Sequence, residues 1–188
     1  MLRIALAGNP NSGKTTVFNY LTGEKERVGN WAGVTVSSKA GYLRKKFTKG
    51  QRVEIIDLPG TYSLKAYTKD EQHASDYIHK QDIDVIINIV DASNLERHLY
   101  LTTELQALNI PLIVVLNKAD IVKRRKTSID LSLLKDMLNC DVFFVTASRS
   151  KGLKEIIECA LTKGANVCDE PRKKQDRKQK RRGKGYCH

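Results

Sequence analysis

Gly8-Asn9-Pro10-Asn11-Ser12-Gly13-Lys14-Thr15 follows a short apolar run, Leu2 to Ala7, and opens the first stretch with helical spacing, Lys14 to Leu21. The octapeptide is a full match to the phosphate-loop pattern GxxxxGK[ST]. Consecutive backbone N–H groups wrap a polyphosphate only where glycine lets the chain turn and approach closely, and Gly8 and Gly13 stand at those two places. The helix that follows points its N-terminus at the anion. Lys14 reaches the β- and γ-phosphates, and Thr15 offers a hydroxyl to Mg²⁺. Asn9, Pro10, Asn11, Ser12 and Thr16 complete the candidate phosphate-binding segment.

Outward from this loop the pattern alternates. Val36 to Phe47 and Val53 to Asp57 read as strands joined by a turn at Lys49-Gly50, and Asp70 to His79 reads as a helix. Val85 to Val90 is a continuous apolar run broken once by Asn88, as in a strand buried on both faces, and Leu112 to Leu116 is another. Leu95, Leu99, Leu105 and Leu108 fall near helical spacing, as do Leu131, Leu134 and Leu138. Val142 to Val145 predicts a strand, and Leu153, Ile156, Ile157, Ala160 and Leu161 a last helix. Strand alternating with helix is the βαβ signature. The expected fold is a P-loop NTPase of the α/β class, with a mostly parallel central sheet of about six strands and helices on both faces.

Three further motifs occur in order. Asp57-Leu58-Pro59-Gly60 ends an apolar strand, so the Asp57 carboxylate can serve the magnesium shell while the Gly60 N–H meets a γ-phosphate. Asn117-Lys118-Ala119-Asp120 ends another. A carboxylate accepting two N–H groups selects guanine, which presents N1–H and a 2-amino group, and rejects adenine, because unmatched buried polar groups are costly. Lys118 can lie along the base, and Asn117 can tie this loop to the phosphate loop. Thr146-Ala147-Ser148 follows the last strand, where a backbone N–H can meet the guanine O6.

Composition bounds the rest. The chain has 188 residues, enough for one medium domain, with 40 % hydrophobic and 29 % charged residues, ordinary for a soluble globular protein. Its apolar runs fall far short of the roughly 20 residues that span a bilayer. Cys140, Cys159, Cys168 and Cys187 contain no CxxC pair, which speaks for reduced thiols in a cytosolic compartment. The net charge of +12 is concentrated at the end: Arg172 to His188 hold nine Lys and Arg against one acid, Asp176. Like charges at that density resist collapse, so residues 166–188 are expected to form a disordered basic tail. Electrostatic binding of that tail to nucleic acid or anionic lipid is the less favoured reading. Lys123-Arg124-Arg125-Lys126 is read as a solvated loop, Cys140 and Cys159 as small core residues, and His73, His79 and His98 as structural.

The four motifs in this order resemble the translation-factor-class GTPases. Val28-Gly29-Asn30-Trp31-Ala32-Gly33-Val34-Thr35-Val36, together with Asp57-Leu-Pro-Gly-Thr-Tyr-Ser-Leu64, narrows the likeness to the cytosolic G domain of FeoB, the bacterial ferrous-iron transporter family, over residues 1–165. The resemblance implies GTP and GDP as ligands, slow hydrolysis, and Mg²⁺ held by Thr15, Asp57 and the switch I threonine, Thr35. It also implies K⁺ stimulation, with the Asn11 side chain and the Gly29 and Trp31 carbonyls as cation ligands. Asn11, Lys14, Thr35 and Gly60 would then carry catalysis. Thr61 stands where many GTPases place a water-orienting glutamine, so the family resemblance implies water held largely by backbone. The partner implied is a membrane permease, in cis or in trans, and the setting the cytoplasmic face of the bacterial inner membrane. Two departures stand out: Lys65-Ala66-Tyr67-Thr68-Lys69 replaces a Ser-Pro-rich stretch, and the family's helical subdomain and permease are expected to be absent from this chain. The alternative is a stand-alone regulatory GTPase that docks on RNA or the ribosome through its tail.

Overall fold

The computed structural model describes residues 1–23, 27–28, 39–48, 50–65, 78 and 83–169. In chain order the elements are β1 (Leu2–Gly8), α1 (Lys14–Thr22), β2 (Arg27–Val28), β3 (Lys39–Tyr42), α2 (Lys45–Thr48) and β4 (Val53–Asp57). Then come β5 (Val85–Asp91), α3 (Leu95–Gln106), β6 (Leu112–Asn117), α4 (Ala119–Arg124), α5 (Leu131–Leu138), β7 (Asp141–Phe144) and α6 (Leu153–Asp169). Short 3-10 turns cover Ala92–Asn94 and Ala147–Arg149.

The strands form one sheet in the order β2-β3-β4-β1-β5-β6-β7, in which β4, β1, β5, β6 and β7 run parallel and β3 pairs antiparallel with both β4 and β2. Six strands thus match the expectation, and two-residue β2 adds a seventh. Every residue of β5 and β6 is buried, which is why their sequences are nearly continuous apolar runs, broken within only by Asn88, rather than alternating ones. One face is covered by Val17, Phe18 and Leu21 of α1 and Ile156, Ile157 and Ala160 of α6. The other is covered by Leu101 and Leu105 of α3 and Leu134 and Leu138 of α5. Each such side chain contributes about 1.5–3 kcal/mol on burial. Local signals set the helix ends. Asp130 accepts the Ser132 and Leu133 N–H groups at 2.9 and 3.0 Å to start α5. Gly23 in the left-handed region closes α1.

The chain leaves β1 toward β4 on one side and later crosses to β5 on the other. The C-terminal ends of β4, β1, β5 and β6 (Asp57, Gly8, Asp91 and Asn117) therefore share one edge of the sheet, and the crevice between diverging connections lies above β1.

Three expectations change. The strand expected over Val36 to Phe47 ends at Tyr42: the Leu43 N–H bonds Val53 O at 3.0 Å, the Arg44 N–H bonds Leu21 O at 3.0 Å, and Phe47 turns back in α2 to stack 5.9 Å from Tyr20. Lys123 and Arg124 belong to helix α4 rather than a loop, although the whole Lys123-to-Lys126 cluster is exposed as expected. Cys140 and Cys159 are half-buried at the margins of the two cores. The helix expected over Asp70 to His79 lies outside the described residues except for buried, helical Ile78. α6 runs to Asp169, and the basic residues from Arg172 onward lie outside the described residues. No helix among the described residues is long and apolar enough to cross a membrane.

Candidate nucleotide-binding site

The phosphate loop spans the turn from β1 into α1. Gly13 takes φ 93° as the residue before α1, and a Cβ there would lie 2.2 Å from Asn117 Nδ2. At Gly8, φ is 153° and a Cβ would meet the Ile89 carbonyl oxygen at 2.4 Å. Both glycines are thus required by close packing as well as by conformation. Asn11 sits in the left-handed region at φ 63° with its side chain exposed. A cleft of about 570 Å³ is lined by Asn9, Pro10, Asn11, Gly13, Lys14, Thr15, Thr16 and Gly60. Gly8 and Ser12 lie behind this lining. The Asn9 amide and the Ser12 hydroxyl are buried with no hydrogen-bond partner among the described residues, and a buried polar group without a partner marks a place where something else supplies one.

Lys14 and Asp57 are both buried, and the Lys14 ammonium donates to Asp57 Oδ1 and to the Leu58 carbonyl. The strand end β4 and the helix start α1 therefore meet through a charge pair. Beyond Gly60, the Thr61 N–H donates to Gly8 O at 3.3 Å. The Thr61 hydroxyl is turned inward: it accepts the Ser63 N–H at 3.2 Å and donates to the Ser63 carbonyl. It is not aimed at the cleft.

Asn117 joins three loops. Its Nδ2 donates to Ser12 O at 2.9 Å and its Oδ1 accepts the Ala147 N–H at 3.0 Å. Next to it, Lys118 takes φ 63°, and its ammonium pairs with Asp91 Oδ2 at 2.6 Å. Asp91 also accepts the Ser93 N–H and hydroxyl at 2.9 and 2.7 Å. Burial works against its charge, but Lys118 and Ser93 outweigh burial and hold the carboxyl down at about 2. The Asp91 N–H donates to Nδ1 of buried His98 at 3.2 Å, and burial lowers that imidazole's pKa, so Nδ1 is an acceptor. Asp120 lies in the first turn of α4, 3.8 Å from Arg124. Thr146 is buried and bridges to Lys151, Ala147 is held by Asn117, and Ser148 is exposed in the 3-10 turn.

The structure thus brings the phosphate-loop residues, Asp57, Gly60, Asn117 and Ala147 together at one sheet edge. Gly29, Trp31 and Thr35 lie outside the described residues. Thr15 and Asp57 offer hydroxyl and carboxylate oxygens, a donor set suited to a hard divalent cation such as Mg²⁺. Of the oxygens expected to hold K⁺, the Asn11 side chain borders the cleft. Asp91 was missed from sequence. It closes an apolar strand at the same edge as Asp57 and Asn117, and that shared position is the signal that finds it.

A phosphate loop at the switch point of a parallel sheet, tied by one asparagine to an NKxD turn, defines a P-loop domain of the G-domain type. The chain belongs to the family of the ferrous iron transport protein B N-terminal domain, whose model matches residues 2–160. The Fe(2+) transporter FeoB of Salmonella typhimurium is 50 % identical over 159 residues, which take in 82 % of this chain and 20 % of that transporter. The FeoB G domain of Methanococcus jannaschii superposes with a TM-score of 0.76 at 37 % identity, covering 87 % of this chain and 97 % of that one. NFeoB of S. thermophilus, bound to GDP·AlF4⁻ and K⁺, superposes at 0.74 with 43 % identity, covering 86 % of this chain and 61 % of that one. The chain therefore spans about a fifth of the length of the curated relatives it matches.

Proposed function

We propose that this chain binds Mg²⁺-GTP and hydrolyses it to GDP and phosphate, as the G domain serving a ferrous-iron transporter at the cytoplasmic face of a bacterial inner membrane. The observation that carries the reading is Asn117, which links the phosphate loop at Ser12 to the NKxD turn and to the Ala147 N–H. One side chain thus sets the spacing between the phosphate end and the base end of a nucleotide. Lys14 and the loop N–H groups bind the β- and γ-phosphates. Gly60 is packed against Pro10 of the phosphate loop, and its N–H would meet the γ-phosphate. Water attacks the γ-phosphorus, the bond to the β-phosphate oxygen breaks, and GDP leaves. With the Thr61 hydroxyl spent on Ser63, this turn would hold the attacking water through its backbone, and slow turnover is expected.

Thr15, Asp57 and Thr35 would hold Mg²⁺, which would supply positive charge to offset the charge developing on the phosphates. Asn11, Gly29 and Trp31 would hold K⁺, which supplies positive charge where an arginine finger acts in other GTPases. Hydrolysis is to be compared in potassium and sodium at equal ionic strength, with Asn11→Ala alongside. Clear stimulation by potassium that the substitution abolishes is expected. Equal rates in both salts would remove the cation assignment, and no hydrolysis in either would remove the turnover.

Base choice gives a separate test. Asp120→Asn exchanges an acceptor of two N–H groups for an amide that presents one acceptor and two donors. GTP affinity should fall about 100-fold or more, and xanthosine triphosphate, which carries an acceptor at the 2-position, should bind better than GTP. Competition binding against both nucleotides reads this, and unchanged preference for guanine would exclude Asp120 from the base site.

A further inference from the structure

The segment after Gly60 is gripped by α3 at two points. Glu104 Oε2 accepts the Leu64 N–H at 2.6 Å, and Glu104 Oε1 accepts the Ser63 hydroxyl at 3.0 Å. Two turns earlier on α3, the Arg97 guanidinium lies 4.4 Å from the centre of the Tyr62 ring. Ser63 is buried, and its Oγ in turn accepts the Lys65 N–H at 2.9 Å. The same few residues therefore have two attachments. Toward the nucleotide cleft, the Thr61 N–H is on Gly8 O, and Gly60 packs so tightly on Pro10 that a Cβ would lie 3.3 Å from Pro10 Cα. Away from it, they are fastened by the Glu104 carboxylate. Glu104 does not line the cleft.

We propose that Glu104 is a positioning residue for the hydrolytic step: by holding Ser63 and Leu64 against α3 it keeps the Gly60–Thr61 backbone seated on the phosphate loop. The physical reason is that the Thr61 hydroxyl is engaged with Ser63, so this turn can serve the γ-phosphate and the water only through its backbone, and backbone is only as well placed as the groups that fasten it. A carboxylate taking one N–H and one O–H is a stronger fastening than a neutral acceptor. The inference rests on the proposed GTP hydrolysis. It assigns to α3, whose His98 already serves Asp91 at the base end, the further task of holding the catalytic turn.

Two substitutions separate positioning from mere stability. Glu104→Ala removes both acceptors. Glu104→Gln keeps them in altered form, because the amide oxygen accepts the Leu64 N–H and the amide N–H donates to Ser63 Oγ, whose second lone pair is free to take it. Both are to be compared with the unaltered chain by GTP turnover, by GDP affinity, and by hydrogen exchange at the Leu64 amide. Glu104→Ala should lower kcat about 10-fold with GDP affinity within about 2-fold, and should speed Leu64 exchange about 10-fold, while Glu104→Gln should recover most of both. Unchanged Leu64 exchange in Glu104→Ala would overturn the proposal, as would parallel loss of kcat and GDP affinity. A wild-type chain that binds GTP without hydrolysing it would end the hydrolytic reading, whereas failure of the exchange prediction beside normal turnover would end only the assignment of Glu104.

Discussion

Lys14→Ala is expected to lower GTP affinity by about 100-fold or more and to leave no measurable hydrolysis. A hydrogen bond to a charged group is worth about 1.5–3 kcal/mol, and one ammonium reaching two phosphate groups makes at least two of them. The structure adds a second consequence. Lys14 and Asp57 are buried against each other, so removing the ammonium takes a charge partner from a buried carboxylate. Breaking one half of such a pair costs about 3–5 kcal/mol, a large part of the about 5–15 kcal/mol that a domain of this kind possesses. Titration calorimetry with GTP and denaturant unfolding read the two effects separately. A variant with native affinity would show that Lys14 serves Asp57 alone.

Asn117→Ala should be the most damaging change outside the phosphate loop itself. It leaves the Ser12 carbonyl and the Ala147 N–H, both buried at the junction of three loops, without their partner. Each lost partner costs about 1–3 kcal/mol, which for a chain of this length lowers Tm by roughly 5–20 °C. Nucleotide affinity should fall by more than the stability change alone accounts for, because the two ends of the site lose their fixed spacing. Asn117→Asp is a useful companion: it keeps an acceptor for Ala147 but turns a carboxylate toward the Ser12 carbonyl, and it should rescue little. Scanning calorimetry with and without GDP checks both, and a wild-type melting curve for Asn117→Ala would refute the argument.

Much of this arrangement was readable in advance because it rests on short-range chemistry. Gly8 and Gly13 are where the backbone must turn against Ile89 and Asn117, and no other residue type fits them. The β5 and β6 runs are apolar apart from Asn88 and their polar last residues because they have helices on both sides. What escaped rests on tertiary pairing. α2 and α4 have four and six residues, too few to show a period, and both are held by neighbouring loops. Glu104 is an ordinary acidic residue in a helix until the fold sets Ser63 and Leu64 beside it, and nothing in its own surroundings announces that. Lys118 was expected along the base; its ammonium is fixed on Asp91, which orients the same side chain from the other end.

The central place of β1 has a consequence for the birth of the molecule. This strand comes first in the chain, yet its neighbours are β4 and β5, so Ile4 must wait for Ile55 and Val85 to be made before either edge can pair. The phosphate loop that leaves it waits longer, since Asn117 and Ala147 hold it from much later in the chain. At about 5–20 residues per second, synthesis separates Gly8 from Ala147 by roughly seven to thirty seconds. During that interval an apolar strand and its glycine turn have no permanent place and are a natural client for a chaperone. Nucleotide, which would recognise only the assembled edge, acts at the end of this delay as a seal on folding rather than as its seed.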